Sequence, residues 1–308
     1  MNRGEFLFEI IDVLGHFPQN YIKVKDIIIE KNMAYSLDFY DRKMDLLYRK
    51  TTEQLPILIN IHGGGFVKGD KKHRWSLCSQ FADKNWFVIN ANHRLAPKYP
   101  FPAMFEDMFA LLAILPELAL KYNLDTSKIV LTGDSAGAYI AAYTVALMTN
   151  DSLRLALSLP KIELKPAGLI GFCGPYDIVK ALSAPLAFGL VECLAESFSG
   201  VKLSKGCPEL ATYPYAPYLS PVDFVTENWC PSLLVYAEKD IFCAGLEAGL
   251  FNAIKDVGVY VDEIHSSTSL ANHCYHLFNW LKITKNTLEK CFEFLDTIKS
   301  GHCCVTEK

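Results

Sequence analysis

Residues 133–137 read Gly-Asp-Ser-Ala-Gly, between the apolar, β-branched run KIVLT and the helical pattern YIAAYTVALM. A serine between two glycines at a strand-to-helix turn is what an exposed nucleophile requires. The turn is strained, side chains flanking it would collide with the strand or the helix, and glycine removes the collision. Such a turn lifts the Ser135 hydroxyl above the C-terminal edge of a sheet. It also aims the Ala136 N–H, at the helix N-terminus, toward a reacting oxygen. The competing reading is a plain tight turn with Ser135 as a helix N-cap. A second glycine cluster, His62-Gly63-Gly64-Gly65-Phe66, directly follows an apolar run at 56–61. Three glycines let the main chain approach a ligand closely, so the N–H groups of Gly64 and Gly65 could join that of Ala136 around an oxyanion. One such donor is typically worth about 2.7–4 kcal/mol of transition-state stabilisation. A flexible loop or a phosphate cradle is the alternative. The Gly-Lys-Ser/Thr ending of a P-loop and the G-x-G-x-x-G of a dinucleotide site are both missing. His62 reads as a ring holding this loop rather than as a base, and Asp134 as a second supporting residue.

These stretches, with HRLAPKYPFPAMFED at 93–107 and YLSP at 218–221, resemble the hormone-sensitive-lipase-like family of α/β-hydrolases. The markers keep the family's order from about residue 37 to 278. The resemblance implies a Ser-His-Asp carboxylesterase, with a helical cap built from N-terminal helices and an insertion after the sixth strand. The chain departs from the family at His93 and Lys98, where a tyrosine and an acid are usual, and at Ala138, the second glycine after the elbow.

In such hydrolases the acid and then the histidine follow the serine along the chain. Asp240 stands three residues beyond the run SLLVYA, which matches the family's pattern. Glu238 lies too close to the strand end, and Asp223 falls before it. An aspartate capping the next helix is the bland alternative. Three histidines follow the last apolar run. His265 abuts that run and leaves little loop, whereas His273 and His276 each precede an aromatic by two residues, as the family's base does. Spacing from Asp240 favours His273, with His276 as the alternative base, or as a residue supporting the site or lining the acyl pocket. Ser135 would attack an ester carbonyl, His273 would take its proton, and Asp240 would hold the imidazole, with an acyl-enzyme as intermediate.

The elements that must position these residues are legible as an alternation. Apolar runs at 56–61, 86–91, 128–132, 167–172, 232–237 and 259–264 read as strands buried on both faces. Two shorter strands at 35–40 and 44–49 precede them. Helical patterns fall at about 74–84, 104–122, 136–149, 243–256 and 286–299. The expected fold is one α/β-hydrolase domain over 1–308, a mostly parallel central sheet with helices on both faces. The helical cap is expected from about 1–30 and 176–225. Phe6, Ile10, Ile11 and Leu14 suggest an amphipathic first helix. Phe188, Tyr213, Tyr215 and Tyr218 suggest either an apolar pocket or cap core.

A composition 51% hydrophobic supplies a large core, and a net charge of −4 carries no basic footprint, so nucleic acid is not an expected partner. No apolar run reaches membrane-span length. Acidic residues interrupt the N-terminal apolar residues, unlike a signal peptide. The ten cysteines have no C-x-x-C pair and read as reduced, mostly packed thiols in a cytoplasmic protein, with Cys303-Cys304 in a tail. No metal-ligand spacing appears, so neither metal nor organic cofactor is expected. The expected ligand is a small, mostly apolar acyl ester, and the resemblance makes a homodimer conceivable. Two other readings stay open: an amide or formamide hydrolase, and a small-molecule-binding protein that kept the fold without the chemistry.

Overall fold

The computed structural model describes residues 1–183 and 190–301. In chain order the elements are α1 (Arg3–Gln19), β1 (Ile28–Ala34), β2 (Lys43–Tyr48), β3 (Leu55–Ile61), α2 (Trp75–Asp83), β4 (Phe87–Ala91), α3 (Ala103–Tyr122) and β5 (Leu124–Asp134). They continue with α4 (Ala136–Thr149), α5 (Asp151–Ala156), β6 (Pro166–Phe172), α6 (Ile178–Ser183), α7 (Leu190–Ser199), β7 (Ser232–Ala237), α8 (Ala248–Asp256), β8 (Val261–Ser266) and α9 (Lys282–Ser300). The eight strands form one sheet in the order β1-β2-β4-β3-β5-β6-β7-β8. β1 and β2 pair antiparallel, as do β2 and β4, and every later pair is parallel.

Side-chain alternation divides the core in two. Ile57, Ile59, Ile129 and Leu131 pack with α3 and α4 on one face. Leu58 and Val130 point the other way, against Leu77 and Phe81 of α2 and Leu288 and Leu295 of α9. Both faces of β3 and β4 are fully buried, which explains their unbroken apolar runs.

Several boundaries differ from expectation. Residues 35–40 are not a strand: Ser36 bonds Asp38, and the Arg42 guanidinium reaches both, closing a polar turn with Leu37 pointing into solvent. Tyr35 alone is buried among them, and it donates its hydroxyl to the Asn92 carbonyl at 2.7 Å. The edge strand is instead β1, mostly exposed and broken by a register shift between Glu30 and Met33. The first three residues of β1 therefore take Ile28–Glu30 out of the N-terminal segment read as cap. α8 starts at Ala248 rather than 243, because the Asp240 carboxylate takes the N–H groups of Phe242 and Cys243 and holds the chain in turns. β8 starts and ends two residues later than expected, and α9 starts four residues earlier.

Helix α1 forms, and Phe6, Ile10, Ile11 and Leu14 are on its solvent side, while Gly4 and Phe8 face inward. Asn2 caps it through a reciprocal box with Glu5 and also donates to Ser197 Oγ of α7 at 2.9 Å. No helix among the described residues is long and apolar enough to cross a membrane.

Candidate active site

The turn at Ser135 follows directly from its neighbours. Strand β5 ends at Asp134, α4 begins at Ala136, and Ser135 between them has φ 53° and ψ −122°. Its N–H is held by the Phe172 carbonyl at 2.8 Å. A Cβ on Gly133 would lie 2.5 Å from the Gly137 carbonyl, and one on Gly137 would lie 2.1 Å from the Ile61 carbonyl. Both glycines are thus required by the close approach of α4 to the ends of β3 and β5. The N-cap reading fails here, since the Ser135 side chain makes no capping bond.

Its hydroxyl instead meets His273 Nε2 at 2.9 Å. On the other side of the ring, Nδ1 lies 2.9 Å from both carboxylate oxygens of Asp240. Asp240 Oδ1 also accepts the N–H groups of Phe242 and Cys243, each at 2.8 Å. Burial alone would raise the Asp240 pKa. The imidazole and the two N–H groups outweigh it and hold the carboxyl below its ordinary value. Three residues far apart in the chain therefore form one continuous polar chain, serine to imidazole to carboxylate.

The other candidates lie elsewhere. His276 is completely buried, stacks on Phe172 with ring centroids 3.9 Å apart, and has no hydrogen-bond partner at either nitrogen. Burial pushes its pKa down to about 3, so it is a neutral packing ring, and it is not among the residues lining the cavity over Ser135. His265 stacks on Tyr236 on the edge strand. Glu238 and Asp223 are exposed, and neither touches the imidazole chain.

The glycine loop runs beside the serine. Gly65 and Ala136 line the same cavity as Ser135, whereas Gly64 is not among its lining residues. Gly65 has φ 60°, and a Cβ there would strike the Phe8 ring at 2.4 Å, so the loop and α1 pack to main-chain distance. His62 is buried, donates from Nδ1 to the Gly63 carbonyl at 3.0 Å, and stacks on His93 at 4.6 Å. Burial first, and His93 second, bring its pKa to about 3, consistent with a neutral ring under the loop. The departure at His93 is thus a packing partner for His62. Lys98 lies outside, over the Tyr99 ring.

Arg74 was not singled out by sequence. It is 5% exposed and clamps Asp134 with two bonds, Nε to Oδ1 at 2.6 Å and Nη2 to Oδ2 at 2.7 Å. Burial would raise the Asp134 pKa, but the guanidinium overrides it and brings the carboxyl to about 2. Asp134 Oδ2 also accepts the Gly63 N–H at 3.2 Å and the Cys274 thiol at 3.8 Å. Arg74 Nη1 reaches Gln19 of α1 at 2.8 Å. One ion pair therefore ties together the residue before Ser135, the glycine loop, the residue after His273 and α1. The only sequence signal for it is that a buried acid inside G-x-S-x-G needs a cation.

The cavity over Ser135 is small, about 70 Å³ of water-accessible volume, and its walls are apolar. Phe8, Phe66, Ile178, Leu194, Phe198 and Phe242 supply most of them. Tyr213, Tyr215 and Tyr218 are absent from these walls. Tyr215 packs on Phe101 at 5.4 Å and Tyr218 on Phe224, so of the two readings of these tyrosines the core one holds. Phe188 lies outside the described residues.

A family model, BD-FAE, matches residues 44–250, two thirds of the chain. The chain belongs to the BD-FAE family. That match carries the resemblance to hormone-sensitive-lipase-like hydrolases from quoted motifs to most of the sheet. Beyond the BD-FAE match, the chain is 28% identical over 176 residues to probable carboxylesterase 1 of Arabidopsis thaliana, covering 54% of this chain and 53% of that protein. It is 27% identical over 291 residues to 2-hydroxyisoflavanone dehydratase of Glycyrrhiza echinata, covering 85% and 81%. It is also 38% identical over 90 residues to esterase LipI of Mycobacterium tuberculosis, covering 29% and 28%. The chain thus spans about half the length of the Arabidopsis relative and less of the mycobacterial one. Among solved structures, an inhibited esterase B from Lactobacillus rhamnosis superposes with a TM-score of 0.84 at 18% identity, covering 97% of this chain and 96% of that one. A bacterial heroin esterase gives 0.76 at 20%, covering 96% and 92%. At those identities the likeness establishes the α/β-hydrolase fold.

Proposed function

We propose that this protein is a serine carboxylic ester hydrolase for small, apolar acyl esters. The observation that carries the reading is the unbroken chain Ser135 Oγ, His273 Nε2, His273 Nδ1, Asp240. In this reading His273 takes the serine proton as Oγ attacks the ester carbonyl. The carboxylate keeps Nδ1 protonated and stabilises the imidazolium that forms. The N–H groups of Gly64, Gly65 and Ala136 are assigned to the tetrahedral oxyanion, with the glycine loop and the α4 N-terminus held together by Asp134. The alcohol leaves with the proton from His273, and water repeats the attack on the acyl-enzyme. The small apolar cavity favours short, uncharged acyl groups. The helices α1, α6 and α7, which contribute Phe8, Ile178, Leu194 and Phe198, are assigned as its cap.

A second reading is favoured by the relative that covers most of the chain, a dehydratase. In it the same imidazole would remove a proton from carbon and no acyl-enzyme would form. Hydrolysis of p-nitrophenyl esters of two to twelve carbons separates the readings, with labelling by a fluorophosphonate probe alongside. Ester hydrolysis requires turnover greatest on short chains, abolished in Ser135→Ala and His273→Ala and retained in His276→Leu. Absence of both turnover and labelling would leave a dehydratase or a binding protein. Parallel amide substrates tell an esterase from an amidase.

A further inference from the structure

The reaction above leaves one neighbour of the polar chain unused. Cys173 follows β6 directly, held at φ 53° with its N–H on the Val235 carbonyl at 2.7 Å. It is almost fully buried. Donor atoms of Cys173, Asp240 and His273 all lie within 4.8 Å of one another. A sulfur, a carboxylate oxygen and an imidazole nitrogen are the donor set of a tetrahedral, borderline-soft divalent ion. With bonds of about 2.0–2.3 Å, the ligands of such an ion stand roughly 3.3–3.8 Å apart. The sulfur therefore needs only a modest approach, while the Nδ1–carboxylate pair, at 2.9 Å, widens by a few tenths of an ångström.

We propose that Cys173, Asp240 and His273 form an inhibitory site for a thiophilic divalent cation of the Zn²⁺ or Cd²⁺ class. The inhibitory half of this inference rests on the triad reading above, whereas the binding half does not.

The chemistry balances without oxidation or reduction. His273 Nε2 is engaged by Ser135, so the nitrogen open to the ion is Nδ1, on the Asp240 side. The ion takes the place of the Nδ1 proton, and that proton moves to Nε2. Nε2–H then donates to Ser135 Oγ and cannot accept its proton, so the base is disabled while the imidazole stays neutral. The Cys173 thiol loses its proton to solvent, one per ion bound. Thiolate and carboxylate together neutralise the dication, and a water completes the four ligands. Asp240 keeps its bonds from the Phe242 and Cys243 N–H groups, so the loop need not move to make the exchange.

Two other thiols stand close, and their surroundings set them apart. The hydrogen bond with Cys173, together with burial, holds the Cys274 thiol well above its ordinary pKa. Burial does the same for Cys243. Among the described residues, Cys173 is the thiol grouped within 4.8 Å of both Asp240 and His273. The strongest fixed cation nearby, Arg74, is already neutralised by Asp134.

The test titrates metal-free protein with Co²⁺, a spectroscopic stand-in for Zn²⁺, and follows the thiolate-to-metal absorption band and proton release. Turnover of p-nitrophenyl butyrate is read in the same samples against Zn²⁺, with and without chelator. Wild type should bind one ion with the band, release one proton, lose turnover and recover it with chelator. Cys173→Ser should lack the band, keep turnover and need at least tenfold more Zn²⁺ for inhibition, whereas Cys274→Ser should follow wild type. A band or a Zn²⁺ sensitivity unchanged in Cys173→Ser overturns the site. A Cys173-dependent band in a protein that hydrolyses no ester keeps the site and removes the esterase reading. If Cys173→Ser does not fold, Cys173→Ala is read by the same criteria, and an unchanged band or Zn²⁺ sensitivity in it overturns the proposal.

Discussion

Two aspartates lie at the C-terminal edge of the sheet, both buried and both held ionised, yet they differ in what answers their charge. Asp134 faces a permanent cation, Arg74, in a bidentate clamp. Asp240 faces the His273 imidazole and accepts two backbone N–H groups, which together hold its carboxyl below its ordinary pKa. A guanidinium that cannot lose its proton suits a joint that must never move. An imidazole suits a place where a proton must arrive and leave. The same side chain thus serves as a fixed tie at one end and, in the proposed reading, as the support of a proton-accepting imidazole at the other.

The sharpest break of that contrast is kinetic. Asp240→Asn should lower kcat about 10⁴-fold with little change in unfolding midpoint. Asp134→Asn should cost less activity and more stability, so equal losses of kcat in the two variants would erase the distinction. Next in size is Arg74→Met, which leaves a buried carboxylate unpaired and should destabilise by roughly 3–5 kcal/mol in urea unfolding. Adding Asp134→Asn should restore much of that loss, whereas additive losses would mean that the pair is not the source.

The pH profile of stability sharpens the comparison further. The folded pKa of Asp134, about 2, lies below its ordinary value, so its stabilisation is complete above about pH 4 and fades as the pH falls toward 2. His276 is also depressed, from 6.5 to about 3, but here the neutral form is the buried one. Its contribution is complete above about pH 6.5 and is lost as the pH falls toward 3. His276→Leu should therefore flatten the slope of stability between pH 6.5 and 3 by up to about 1.4 kcal/mol per pH unit. Arg74→Met should also change the slope above pH 4, because burial, no longer opposed by the guanidinium, then raises the Asp134 pKa above its ordinary value. The smallest expected effect is that of Gln19→Leu, which removes one partner of Arg74 and should cost about 1 kcal/mol with turnover retained.

What was legible in the chain was whatever is encoded over short distances. Ser135 with its glycines, the glycine loop and the buried parallel strands each announce themselves within a dozen residues. Asp240 and His273 were narrowed by chain order and spacing, and the structure places His273 against Ser135 and Asp240 against His273. Arg74 was invisible because it lies 60 residues before its partner, at the start of an ordinary helix. β1 was missed because an exposed edge strand need not alternate, while the turn at 35–40 alternates by accident. The faces of α1 were equally hidden: its largest apolar stripe looks outward and a single phenylalanine reaches the cavity.

The tie at Asp134 has a consequence in time. Its partners come from positions 63, 74 and 274, and through Arg74 from position 19. Ser135 and His273 are themselves 138 residues apart. Contacts of such long range form late, after the loops between them have closed. During synthesis the serine leaves the ribosome 138 residues ahead of the imidazole. In the proposed reading, the nascent chain therefore carries an unarmed hydroxyl until the segment after β8 docks.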